Sequence, residues 1–147
     1  MGFKSGLAVT HWEHFEHDAD IGVRGVGDTK SAAFEQAAKA LLNVIAEPTA
    51  IRPVTSVEIE CSAPDDAILL ADWLNALVFE IATRRVLLAE FKVELYDDSS
   101  LRAVARGEPF DPERHAPSTE VKGATYTELS VDQQRDGTWI AQCIVDV

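Results

Sequence analysis

The sequence has little cysteine, few cations and no long apolar run. Its two cysteines, Cys61 and Cys143, each sit in an alternating apolar pattern with no second cysteine nearby. That excludes a paired zinc or redox motif and predicts buried, reduced thiols. Lysine and arginine number 13 against 25 aspartates and glutamates, giving a formal net charge of −12 at pH 7. The few cations are scattered, so the surface repels phosphate backbones and autonomous binding to RNA or DNA is disfavoured. The most apolar region, "AILLADWLNALVFEIA", is interrupted by Asp72 and Glu80, and no cationic start leads into an apolar stretch. Neither a membrane span nor a signal peptide fits, and a cytosolic (cytoplasmic) protein is expected. Repeats, low-complexity tracts and long linkers are also missing.

A hydrophobic content of 46% in 147 residues is enough for one sizeable core. Residues 1–10 lack periodicity and read as a disordered leader, with residues 11–147 forming a single domain. "FEHDADIGVRGVG" alternates like a strand, and its glycines allow bends. In "DTKSAAFEQAAKALLNVIAEP", Phe34, Ala37, Ala38, Leu41, Leu42 and Ile45 follow helical spacing. Asp28 or Thr29 supplies the cap, and Pro48 forbids continuation. "VTSVEIECSA" is a strand with one wet face. "PDDAILLADWLNALVFEIATRR" is a second helix, acidic at its start and basic at its end as the helix dipole favours, with Leu70, Trp73, Leu74, Leu77 and Ile81 inward. "FKVELYDDSSLRAVARG" and "ATYTELSVDQQRDGTWIAQCIVDV" read as hairpins flanking a polar loop with three prolines. The last strand is apolar on both faces and belongs in the middle of a sheet. The expected fold is an α+β sandwich, a mostly antiparallel sheet of about six strands with two main helices packed on it.

The chemistry-bearing stretch is "HWEHFEHDADIG". The spacing of His11, His14 and His17 would align three ligands on a helix, but on a strand residues three apart face opposite sides, which disfavours a three-histidine zinc site. Asp20 precedes the apolar, glycine-rich "IGVRGVG" and either caps a turn or holds a cation. Asp146 raises the same question at the end of an otherwise buried strand, one residue before Val147. Carboxylates near a dry core need protons, cationic partners or a metal, and hard divalent cations prefer such oxygens.

"HWEHFEHDADIGVRGVGDTKSAAFEQAAKALLNVI", "EVKGATYTELSV" and "DGTWIAQCIVDV" together resemble the archease family, accessory proteins of the RtcB-type RNA ligase in tRNA splicing. The likeness runs from about residue 11 to residue 147. It implies a divalent metal site at Asp20 and Asp146 with the terminal carboxylate of Val147. Calcium is the ion expected in a structure, with manganese or magnesium as candidates in the cell. It also implies a non-catalytic activator that promotes guanylylation of the ligase, which uses GTP and manganese, and permits multiple turnover. Such a protein meets tRNA only through its ligase. His17, Asp18, Glu120 and Lys122 are candidates for supporting the metal or touching the partner, with plain surface solvation as the alternative for His17, Glu120 and Lys122. Asp18 stands where the family commonly has Thr, and Thr127 where many members have His.

Two other readings compete. A chaperone or interaction module would use the metal structurally. A metal-dependent hydrolase would use the same carboxylates, but the sequence offers one modest cluster and no phosphate-cradling glycine loop. The charge balance predicts that the isolated protein binds tRNA weakly and without sequence preference. Submicromolar tRNA affinity at physiological salt, measured without a ligase, would overturn that expectation.

Overall fold

The computed structural model describes residues 10–47 and 50–147. The expected leader, apart from Thr10, lies outside these residues. The elements run β1 (His11–His17), β2 (Asp20–Gly27), α1 (Lys30–Ile45), β3 (Thr55–Ser62), α2 (Asp66–Arg84), β4 (Val86–Tyr96), β5 (Ser100–Pro109), β6 (Gly123–Ala124), β7 (Ser130–Gln133) and β8 (Trp139–Asp146). This is the expected α+β architecture with two helices on antiparallel strands.

The strands number eight among the described residues and divide into two sheets. One has the order β1-β2-β8-β6 with β7 also on β8, and the other is β3-β5-β4. Two local features account for the additional strands. "HWEHFEH" is itself a strand, closed onto β2 by a two-residue turn in which Asp18 adopts φ 52°, a left-handed conformation that Asp tolerates better than most residues. The strand entering the last hairpin is broken into β6 and β7, with Glu128 at φ 54° between them. β8 is central, as its two apolar faces require, with β2 on one side and β6 and β7 on the other.

Thr29, one of the two expected caps, opens α1 by accepting the Ala32 N–H at 3.0 Å. α1 packs against both sheets, and residues on two of its faces are consequently buried, including Phe34, Ala37, Leu41 and Leu42. The second helix is capped by Asp65 on the Ile68 N–H at 2.9 Å. Its Trp73 donates to the Phe34 carbonyl at 3.1 Å and meets Phe91 edge-on with ring centroids 6.1 Å apart. Of its expected inward residues, Leu70, Trp73, Leu74 and Leu77 are buried, while Ile81 near the C-terminal end is partly covered. Among the described residues no helix is long and apolar enough to cross a membrane.

The glycines of β2 do not act as bends. The strand keeps an unbroken register with both neighbours through Gly22 and Gly25, and with β8 through Gly27. At Gly25 a Cβ would lie 2.1 Å from the Ala33 carbonyl oxygen and 2.3 Å from the Ala37 nitrogen. Backbone meets backbone there, so the missing side chain is what lets α1 lie close on the sheet. Gly25→Ala has no flexible neighbour to displace and should cost about 3 kcal/mol or more. Chemical denaturation checks this, and a loss below about 1 kcal/mol would contradict the close approach.

Candidate functional site

The ladder between β2 and β8 sets the site. Ile21 pairs with Val145, and one further step along the same register places Asp20 opposite Asp146. The Val147 N–H reaches the Asp20 Oδ1 at 3.4 Å, so the Asp20 side chain and the residue after β8 meet at one end of the five-stranded sheet. On the other side of β2, His17 pairs with Asp20. On the other side of β8, Gly123 pairs with Asp146, and the Lys122 N–H donates to the Asp146 carbonyl at 2.8 Å. The row His17, Asp20, Asp146, Gly123 therefore crosses four strands. Asp20 is partly buried and Asp146 exposed.

Two pairs further along, on the same face, Phe15 pairs with Gly22 and lies over it. A Cβ on Gly22 would sit 2.4 Å from three atoms of the ring. Arg24 covers the ring from 4.4 Å and donates to Glu13 at 2.7 Å and to Gln142 at 2.8 Å. The hydrogen bonds from His11 and Arg24 hold the Glu13 carboxyl below its ordinary pKa. The acidic row is thus bordered by a cation already engaged elsewhere.

The three histidines do not converge. His11 bonds to Glu13 at 2.9 Å, His14 donates to the Ala40 carbonyl of α1 at 2.7 Å, and His17 Nδ1 stands 3.9 Å from Asp18. Asp18 sits at the turn tip with its side chain 93% exposed. Lys122 reaches the site through its backbone. Glu120 instead lines a separate, mainly apolar groove of about 450 Å³ with Ile45, Ile81, Phe110 and Pro117.

Among the described residues no three His, Cys, Asp or Glu side chains form a ready-made metal cage. What the sheet end offers is oxygen: two carboxylates in register beside Val147. That donor chemistry fits a hard divalent ion that keeps several of its waters, and a closed zinc centre would need more nitrogen or sulfur ligands. Both thiols are free. Burial raises Cys143 to about 12 and, with Asp72 adding to it, Cys61 to about 11, so neither is a ready ligand.

A buried ionic cluster was not legible in the sequence. Glu108 and His115, in what reads as a polar loop, are 4% and 2% exposed. Glu108 breaks the alternation of β5, where Arg102, Val104 and Arg106 face water, because two other chain segments close over it. It accepts from Arg114 at 2.6 and 3.1 Å and from the Arg52 N–H at 2.6 Å. These bonds, the Arg114 pair foremost, outweigh burial and hold its carboxyl far below the ordinary 4.5. The only sequence signal was an adjacent pair of polar residues, Arg114 and His115, in a loop stiffened by prolines.

Residues 12–147 match the model of the archease protein family (MTH1598/TM1083). The protein archease of Pyrococcus furiosus is 40% identical over 142 residues, covering 95% of this chain and all of the relative. That of Methanopyrus kandleri is 41% identical over 139 residues, covering 92% of this chain and 99% of the relative. The solution structure of Methanobacterium thermoautotrophicum protein 1598 superposes with a TM-score of 0.81 at 31% identity, covering 92% of this chain and 98% of that one. The Thermotoga maritima archease, described as a "possible chaperone", shares the fold with a TM-score of 0.63 at 20% identity, covering 90% and 94%.

The depressed Glu108 carboxyl carries a pH prediction. A group whose folded pKa lies below its unfolded value stabilises fully above the unfolded value, about 4.5, and loses that contribution as pH falls toward the folded one. Glu108→Gln should therefore be less stable than the parent at pH 7, and the gap should narrow on acidification below pH about 4.5. Thermal unfolding across pH 2.5–7 measures this, with an unchanged gap contradicting it.

Proposed function

The chain belongs to the archease family, and we propose that it activates an RtcB-type RNA ligase in tRNA splicing and RNA repair by presenting a divalent-ion site to it. The observation that carries this reading is the register of β2 with β8, which sets Asp20 opposite Asp146 and brings the Val147 N–H to Asp20. Asp20, Asp146 and the terminal carboxylate of Val147 would hold the ion. When bound, the ion supplies positive charge to oxygens of the nucleotide or the ligase site.

The residues of this chain orient and attract. Asp20 is held by its pairing with His17 on one side and by the Val147 N–H on its carboxylate on the other, so that carboxylate needs little rearrangement. The acidic rim suits a basic, RNA-handling enzyme, and the net charge of −12 speeds encounter with it. The protein would favour guanylylation by binding the ligase better in its reactive conformation, and it need not touch tRNA itself. Two carboxylates leave coordination positions open, which suits magnesium or manganese shared with a partner better than a fully caged calcium.

A second reading is a docking chaperone whose metal is structural, and the Thermotoga maritima archease is described as a possible chaperone. The experiment separates the two. Asp20→Asn, Asp146→Asn and a short C-terminal tag should each leave the fold intact, since little apolar area is lost. Divalent-ion affinity by calorimetry should fall about tenfold or more, and ligase guanylylation and multiple-turnover ligation should fall with it. Asp18→Ala, at the exposed turn tip, should change both little. Folded variants that activate the ligase fully would replace the metal mechanism with the docking one.

A further inference from the structure

We propose that the buried Glu108, Arg114 and His115 cluster positions the acidic end of the five-stranded sheet, acting through the loop 110–122 that ends against Asp146. The inference rests on the proposed role of Asp20 and Asp146 as cation ligands.

The need for a positioner comes from β6. It makes only two residue pairs with β8, Gly123 with Asp146 and Ala124 with Val145, too few for a strand to hold its own place. What holds it are its flanks. On one side Asn75 of α2 clasps Ala124, accepting its N–H at 2.9 Å, and Thr125 donates its N–H and its hydroxyl to the Ile144 carbonyl of β8 at 2.9 and 2.8 Å. On the other is the loop, tied successively by the Ser118 N–H to the Ile45 carbonyl at 2.8 Å, by the buried Val121, and by the Lys122 N–H to the Asp146 carbonyl at 2.8 Å.

The root of that loop is the cluster. The N–H groups of Arg114 and His115 donate to the Asp111 carbonyl at 3.1 and 2.8 Å, and the Asp111 N–H donates to His115 Nδ1 at 2.8 Å. Nδ1 is therefore bare and the ring proton sits on Nε2. His115 closes the turn reciprocally, and Phe110 stacks on it with centroids 5.9 Å apart. Nε2 faces Glu108 Oε2 from 3.2 Å but out of line for a hydrogen bond, a buried donor left without a partner. Glu108 is already occupied by Arg114 and the Arg52 N–H, while Arg114 also donates to the Ala50 carbonyl at 2.8 Å. One carboxylate thus joins the segment 50–52, the end of β5 and the turn 111–115. An orphaned donor is tolerated where the surrounding geometry is over-determined. Here that geometry fixes where the loop begins, and Lys122 is where it delivers that constraint.

His115→Leu removes the Nδ1 acceptor, whereas His115→Asn keeps an acceptor near the same position, so the pair separates the hydrogen bond from ring packing. Amide exchange by NMR is the readout of position, and calorimetry with manganese alone is the readout of the site. In His115→Leu the Lys122 amide should exchange about tenfold faster relative to core amides of β4 and β5. Manganese affinity should fall about tenfold, the low end for outer partners of metal ligands. His115→Asn should restore both to within about threefold of the parent. If His115→Leu does not fold, Glu108→Gln takes its place in the comparison. Protection at Lys122 that is unchanged, or that falls only in step with the core, overturns the positioning role. A parent protein that binds no manganese would instead defeat the cation reading, and Lys122 exchange would still decide the positioning role.

Discussion

The antiparallel ladder of β2 and β8 is the constraint on which the rest depends. It joins an N-terminal strand to the C-terminal one, and every pair from Ile21–Val145 to Gly27–Trp139 is made. Because side chains alternate with period two, a slip of one residue would turn the core residues Val23, Cys143 and Val145 to the solvent face. It would also separate Asp20 from Asp146. The apolar pattern and the acidic pair are thus set by one register, and packing holds the carboxylates in place although they contribute nothing to packing. The close seat of α1 on Gly25 reinforces that register, since a slipped strand would present a side chain where the helix backbone lies.

Both helices, the cap of the first, the last central strand and the two late hairpins were legible because each rests on local periodicity or a local terminator. Thr29, the acidic start of α2 at Asp65 and Asp66, and the wet face of β3 are examples. The division into two sheets was not, because it depends on α1 being buried on two faces, and a row of alanines such as Ala33, Ala37 and Ala40 carries weak amphipathic contrast. Gly25 was misread as a bend for a related reason. A glycine's role in close approach is decided by what faces it, and α1 is not visible from β2 alone.

The candidate site divides the same way. The meeting of Asp20 with the end of the chain followed from the family likeness, because no spacing rule links positions so far apart. The lack of convergence of the three histidines was readable from strand geometry. Glu108 and His115 stayed hidden because alternation assigns Glu108 to water, and burial there is imposed by Arg52 and Arg114 arriving from elsewhere. Ionic groups brought together by loops leave no periodic trace.

The two acidic regions illustrate opposite uses of charge. Glu108 is buried and fully neutralised by its own chain, so it stabilises internal geometry and offers nothing to a partner. Asp20 and Asp146 face each other in register with no arginine or lysine side chain bonded to them among the described ion pairs. Arg24, four residues further along β2, is spent on Glu13 and Gln142. Two like charges in adjacent strand positions repel, a cost of a few tenths to about 1 kcal/mol in a sheet. A chain that keeps them there leaves favourable interaction energy to whatever positive charge arrives. Anything that relieves the repulsion binds the folded state alone, because the unfolded chain does not bring these residues together. A cation and a basic protein surface are both suited to that place, and an ion with open coordination positions lets the two occupy it together.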